Sequence, residues 1–317
     1  FKKSMRWNES GTSTYARPLR WILAMHGPSV VPFSACGVSS SNATLGMRGV
    51  AGSSKTAAIE LKDADDYMAS LVDKCGILVD MEQRRRTISQ AAESVAERNG
   101  GVMSEGASGS SSDLLGEVTN LVELPTAIEG SFRSEFLELP KEILVTVMKK
   151  HQRYFPVENK DTGELMPIFI AIANGEVDVA SVRSGNEAVL TARFEDATFF
   201  YKSDMDKTLS DFRPLLGGIM FQNDLGTMLD KSDRVEKLSL SLSDSIGFSK
   251  EKGTGNVVDE SVRTAAHLCR ADLATSVVTE FTDLGGVMGK HYALKDGLSS
   301  EVAEAIYESV LPRYASE

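Results

Sequence analysis

The sequence predicts an α+β chain in which a mixed region over residues 1–200 is followed by an all-helical region over residues 201–317. Strand-length apolar runs bounded by turn signals, at residues 19–25 and 165–173, lie in the first part. Beyond Gly175 apolar residues recur at helical spacing almost without interruption. Length sets the scale: 317 residues, 42% hydrophobic, are enough for two or three domains with cores of their own. No run of about 18 apolar residues is present, so a membrane-spanning helix is not expected.

The elements follow in order. Residues 19–25 form a strand-length segment closed by His26-Gly27-Pro28, and residues 30–36 follow, so a hairpin is the simplest arrangement. The Gly/Ser/Asn cluster at 37–42 reads as loop. Residues 60–98 switch to helical spacing, with Tyr67, Leu71 and Val72 on one face, then Ile88, Ala91, Ala92 and Val95. The charged run from Glu82 to Arg86 reads as a solvated helix face. Ser104 to Ser112 (SEGASGSSS) reads as a flexible loop, since it offers backbone freedom and nothing to bury. Asp113 is placed to cap a helix carrying Leu114, Leu115, Val118, Leu121 and Val122. Pro140 suits the first turn of the next helix. At 100° per residue, Ile143, Leu144, Val147, Met148, His151, Tyr154 and Phe155 then share an arc of about 120°.

Residues 165–173 read as a buried strand stopped by Asn174-Gly175. One helix is expected over 186–201. A second carries Leu225, Met228, Leu229, Val235, Leu238, Leu242 and Ile246. A third runs from Val262 to Phe281, closed by Gly285-Gly286, and a fourth is capped by Ser300 and ends at Pro312.

Few residue patterns carry chemistry. Gly286-Val287-Met288-Gly289-Lys290 lacks the spacing and the Ser/Thr of a P-loop and reads as a helix C-cap. His267, Cys269, Asp272 and His291 match no familiar tetrahedral metal spacing. No nucleophile elbow occurs. Phe132-Arg133-Ser134-Glu135 spells F-R-x-E, a class II synthetase motif, yet no glycine-rich arginine motif accompanies it, and the match reads as coincidence. His151, on the apolar arc, reads as a hydrogen-bonded core histidine. Lys149, Lys150 and Arg153 read either as a solvated face or as phosphate contacts.

Charge and cysteines bound the partners. Net charge is −11, but residues 1–50 hold six basic groups (Lys2, Lys3, Arg6, Arg17, Arg20, Arg48) against Glu9, and a local field of that kind can meet phosphate on an otherwise acidic body. Three scattered cysteines without a C-x-x-C suggest a reducing compartment. The start at Phe1 suggests a cut edge.

Several segments, taken in order, carry a resemblance. They are Lys2 to Trp7 (KKSMRW), Tyr15 to Trp21 (YARPLRW), Leu114 to Glu123 (LLGEVTNLVE), Phe136 to Pro140 (FLELP) and Val147 to Pro156 (VMKKHQRYFP). Gly185-Asn186-Glu187, Ala192 to Ala197 (ARFEDA) with Phe199-Phe200, Leu225-Gly226-Thr227 with Asp230-Lys231, and Arg270-Ala271-Asp272-Leu273 through Met288-Gly289 complete the set. Together they resemble the β subunit of the heterotetrameric glycyl-tRNA synthetases of bacteria and plant organelles, and they span nearly the whole chain. The chain is then expected to be an internal fragment.

The resemblance implies a mixed α/β domain related to the editing-type module of phenylalanyl-tRNA synthetase, followed by a helical HD-like domain truncated at its C-terminus. It also implies a part of glycine–tRNA ligase that lacks the adenylation site. ATP and Mg2+ would be used outside this fragment, at the catalytic centre of an α subunit or fused α portion. The assembly would be α2β2 or a fused dimer, in the cytoplasm or in a plastid or mitochondrial interior, with no membrane partner. Two places depart from the family pattern. Gly46-Met47-Arg48 stands where Gly-His-Arg is usual, and Ala271-Asp272 stands where a metal-dependent HD hydrolase has its His-Asp doublet.

The leading expectation is that the region binds and positions tRNA(Gly). Lys2, Lys3, Arg6, Arg17, Arg20, Lys149, Lys150 and Arg153 are the candidate phosphate contacts, with Trp7 and Tyr154 as stacking groups. No catalytic and no metal-binding residue is expected here. The alternatives are a scaffold that holds the α catalytic dimer, or a hydrolytic editing module.

Overall fold

A computed structural model describes residues 4–6, 14–17, 19–47, 58–104, 113–246 and 255–313, with only the backbone described at Cys75 and at residues 255–259. The fold is mixed α and β, with small sheets and mostly short helices. The chain divides into two compact units, each assembled from separated stretches. Unit 1 is Phe1–Asn99, Asp113–Glu129 and Ile170–Ser184; unit 2 is Gly100–Ser112, Gly130–Phe169 and Gly185–Glu317.

Unit 1 opens with short strands. Met25–His26 and Ser29–Val30 form a tight antiparallel hairpin around Gly27, whose φ of 54° is the left-handed geometry that suits glycine. A second hairpin pairs Ser34–Ala35 with Val38–Ser41, and Ile22–Leu23 joins Val38–Ser41 in parallel. The expected 37–42 loop is therefore partly strand. Its serines sit in a ladder because their hydroxyls find partners: Ser40 Oγ donates to the Val31 carbonyl and accepts from the Phe33 N–H.

The helices Tyr67–Cys75 and Met81–Arg98 lie where periodicity placed them, with Ile88, Ala92 and Val95 buried. The Glu82 to Arg86 run is not wholly solvated. Arg84 turns inward, its Nε donating to the Thr119 carbonyl at 2.7 Å and its Nη1 to the Leu78 carbonyl at 2.5 Å. Asp113 caps Leu114–Thr119 by accepting from the Gly116 N–H. Met47 is buried beside Leu71 and Ile77, so the unusual methionine serves as core.

A four-stranded sheet has Gly101–Met103 at one edge, followed by Phe155–Asn159, Leu165–Asn174 and Pro125–Ser131. Gly130 leaves room for the Phe169 ring, which stacks on Tyr154 at 4.7 Å between centroids. Phe194 packs between Phe132 and Phe136.

The remaining helices of unit 2 are more broken than periodicity suggests. Leu225 stands in the turn of a small hairpin of Met220–Gln222 and Gly226–Thr227, and the following helix is Met228–Ile246. Its apolar residues Leu238, Leu242 and Ile246 are exposed, contrary to the buried face expected. The single helix expected over 262–281 is Gly255–Leu268, a 3-10 turn Ala271–Ala274 and a short helix Ser276–Glu280. The break follows from Thr275, whose side chain caps the second helix by accepting from the Val278 N–H. Gly286, expected as a C-cap, is the N-cap of Val287–Lys295. The last helix, Ser300–Glu308, is capped by Ser299.

Candidate nucleic-acid interface

The basic residues proposed from sequence fall in both units. Arg6, Arg17 and Arg20 belong to unit 1 and are exposed. Arg6 lies in the strand Met5–Arg6, opposite Thr14 of Thr14–Tyr15. Lys2, Lys3 and Trp7 lie outside the described residues, as do 105–112 of the Ser/Gly loop.

Lys149, Lys150, Arg153 and Tyr154 belong to unit 2, around an irregular turn. The helix Lys141–Thr146 continues as a π-helical turn, Val147–Gln152, and ends at Arg153, whose φ of 58° is left-handed. A π turn holds more residues than an α turn, so side chains after Met148 leave the arc that a uniform helix assigns them. Lys149 is drawn in and is only 8% exposed, whereas His151 and Arg153 point outward. Tyr154 is also 8% exposed, its ring occupied by Phe169. That removes Tyr154 from the groups that can stack on a base.

The electrostatics around the turn are mixed. Lys150 Nζ is 2.7 Å from Asp283 Oδ1. The His151 ring meets Phe281 edge-on at 5.4 Å, rather than being hydrogen-bonded in the core. Burial first, then the nearby Arg193 charge, push the His151 imidazole below its ordinary range, against the opposing pull of Glu280 and Asp283. The imidazole is therefore biased to neutral near pH 7. Arg193, exposed on the helix Val179–Met205, is a cation that residue-by-residue reading missed. Its only signal was its place in the Ala192-Arg193-Phe194 segment.

Other candidate groups are committed to structure. Asp272, 1% exposed, accepts from the Gly286 N–H at 2.5 Å and the Gly289 N–H at 3.0 Å. A carboxylate thus occupies the place where the glycine loop could meet a phosphate, and the loop does not fit ATP. His267 Nδ1 is 2.8 Å from Glu236, which also lies beside Arg213, and His291 Nε2 is 2.8 Å from the Tyr201 hydroxyl. Arg133 of the F-R-x-E match pairs with Glu135 and Glu195 and lies over Phe136. Among the described residues no group of three His, Cys, Asp or Glu is arranged to hold a metal ion.

Comparison with known proteins gives the context. The sequence profile described as glycyl-tRNA synthetase beta subunit matches residues 1–317. An Arabidopsis thaliana protein named glycine–tRNA ligase, chloroplastic/mitochondrial 2, is 43% identical over 317 residues, which are 100% of this chain and 28% of that protein. The glycine–tRNA ligase beta subunit of Clostridioides difficile is 42% identical over 100% of the chain, and that of Halothermothrix orenii 40% identical over 99%. The chain spans 43% of the length of each of these two bacterial relatives. With a profile match over every residue and this identity from end to end, the chain belongs to the glycyl-tRNA synthetase beta subunit family.

Proposed function

We propose that this chain is the part of a glycine–tRNA ligase that binds tRNA(Gly) and positions it while glycylation takes place at the active site of an α subunit or fused α portion. The observation that carries the reading is the end-to-end family match. ATP and Mg2+ supply adenylate chemistry at that other site, and the chain's own residues do the positioning. The first region corresponds to an editing-type module and the second to an HD-like domain. Because Asp272 is committed to two backbone N–H groups, the second region serves binding rather than hydrolysis. The partner is an α subunit, as α2β2, or an α portion on the same polypeptide as a fused dimer. The same 317 residues make up 28% of the organellar relative and 43% of the bacterial subunits, so the organellar protein is about 1.5 times as long, room enough for a fused catalytic portion. A plastid or mitochondrial interior, or a bacterial-type cytoplasm, suits such relatives.

The contact set is Arg153 with Lys150 on the π turn, joined by Arg193, while Lys149, as buried as Tyr154, is left out of it. Arg6, Arg17 and Arg20, together with Lys2, Lys3 and Trp7 from the sequence, are a separate candidate set. Phosphate contacts release counterions, so affinity falls steeply with salt. In the complete enzyme, Arg153→Glu is expected to weaken tRNA(Gly) binding several-fold and lower the log K against log salt slope by about 1, with α association unchanged. Filter binding between about 50 and 200 mM salt measures this. Unchanged tRNA binding with lost α association would favour a scaffold role instead.

A further inference from the structure

The helix Met228–Ile246 is patterned inside out: it buries serines and exposes leucines. Ser232 and Ser243 are buried, at 0% and 4% exposure, whereas Leu238, Leu242 and Ile246 are 69%, 59% and 58% exposed. Spacings of i, i+4 and i+8 put these three side chains in one row. The row continues toward the helix start. Lys231, seven residues before Leu238, lies on the same side, and its Nζ sits 4.0 Å from the centre of the Phe221 ring. Phe221 and Met220 of the adjoining hairpin are themselves exposed. From Leu238 to Ile246 the row is about 12 Å long at 1.5 Å per residue. Exposed Arg234 stands in the same i+4 row, four residues before Leu238, and exposed Lys237 and Asp244 lie along one side of it.

An exposed apolar row of this kind on a water-facing helix marks an interaction surface. We propose that it is covered by an amphipathic helix from the remaining part of the same subunit, one with a Leu/Ile stripe and an acidic group at the end that meets Arg234 and Lys237. A straight row at helical spacing fits a second helix laid along it. The family supplies the segment: the matched part is 43% of each bacterial subunit cited above, so more than half of each of those chains lies elsewhere. A segment tethered in the same chain meets the ridge at millimolar effective concentration, ahead of a free partner. The inference rests on the exposed row and on family membership, not on tRNA binding.

The test places Leu242→Cys, with Leu238→Cys as a second probe, in the full-length β-type chain without its α portion. Maleimide labelling is read by peptide mapping against a Val189→Cys control, an exposed site on another helix. Labelling at 242 and 238 is expected to be at least ~10-fold slower than at 189, independent of protein concentration. Equally fast labelling in the complete enzyme overturns the proposal. Protection that appears only with the α portion, or that grows with protein concentration alongside dimer formation, overturns it in favour of the α subunit or a second copy.

Discussion

Asp272 shows how one side chain changes what a segment can do. The Ala271-Asp272 pair sits in a 3-10 turn, and the carboxylate reaches the backbone N–H groups of Gly286 and Gly289 at the start of Val287–Lys295. Burial is the dominant influence and raises its pKa, ahead of the two N–H bonds that hold it down. The folded protein then binds this proton more tightly than the unfolded chain, whose carboxyl titrates near its ordinary value of about 3.9. The stabilising contribution is largest in acid and declines as pH rises from that value through the raised one. Asp272→Asn is expected to lose that slope, together with about 1–3 kcal/mol from imperfectly met N–H groups. Urea midpoints of the two proteins across acid to neutral pH check it, and parallel curves would contradict the assignment. Nothing in the local sequence discloses this role, because the acceptor and its donors are 14 and 17 residues apart.

At the scale of elements, the capping signals were legible and the irregular turns were not. Asp113 before Leu114–Thr119 could be read directly, because the cap and its N–H partner are three residues apart. The π turn could not, since a uniform 100° step assigns Tyr154 and His151 to one arc while the extra residue in the turn separates them. The sheet carries a similar non-local constraint at Gly130, where an added Cβ would collide with Phe169, the ring that Tyr154 stacks on. Gly130→Ala is therefore expected to cost about 1–3 kcal/mol through forced displacement of that ring. A lowered urea midpoint and a changed near-UV signal from the Tyr154–Phe169 stack measure it. A variant as stable as the parent would show that the ring has room to move.

On the scale of the whole molecule, net charge bounds how the proposed contacts can work. A net charge of −11 argues against indiscriminate binding of nucleic acid, so the proposed contacts must act as local clusters within a Debye length of about 8–10 Å. With Asp272 filling the Gly286–Gly289 loop, the proposed function predicts that the full β-type chain without its α portion gives no glycine-dependent ATP–pyrophosphate exchange. Restoring the α portion should restore it, and exchange by the β-type chain alone would place an adenylation site where none is proposed. Of all this, the sequence by itself determined the family, the mixed α and β composition and most helix positions, because these rest on local periodicity, caps and ordered motifs. Only the tertiary structure decided that Tyr154 stacks inside, that Lys150 faces Asp283, that Arg193 acts on His151 and that Leu238 and Leu242 face outward. Those outcomes depend on which distant segments pack together, and no local pattern encodes that.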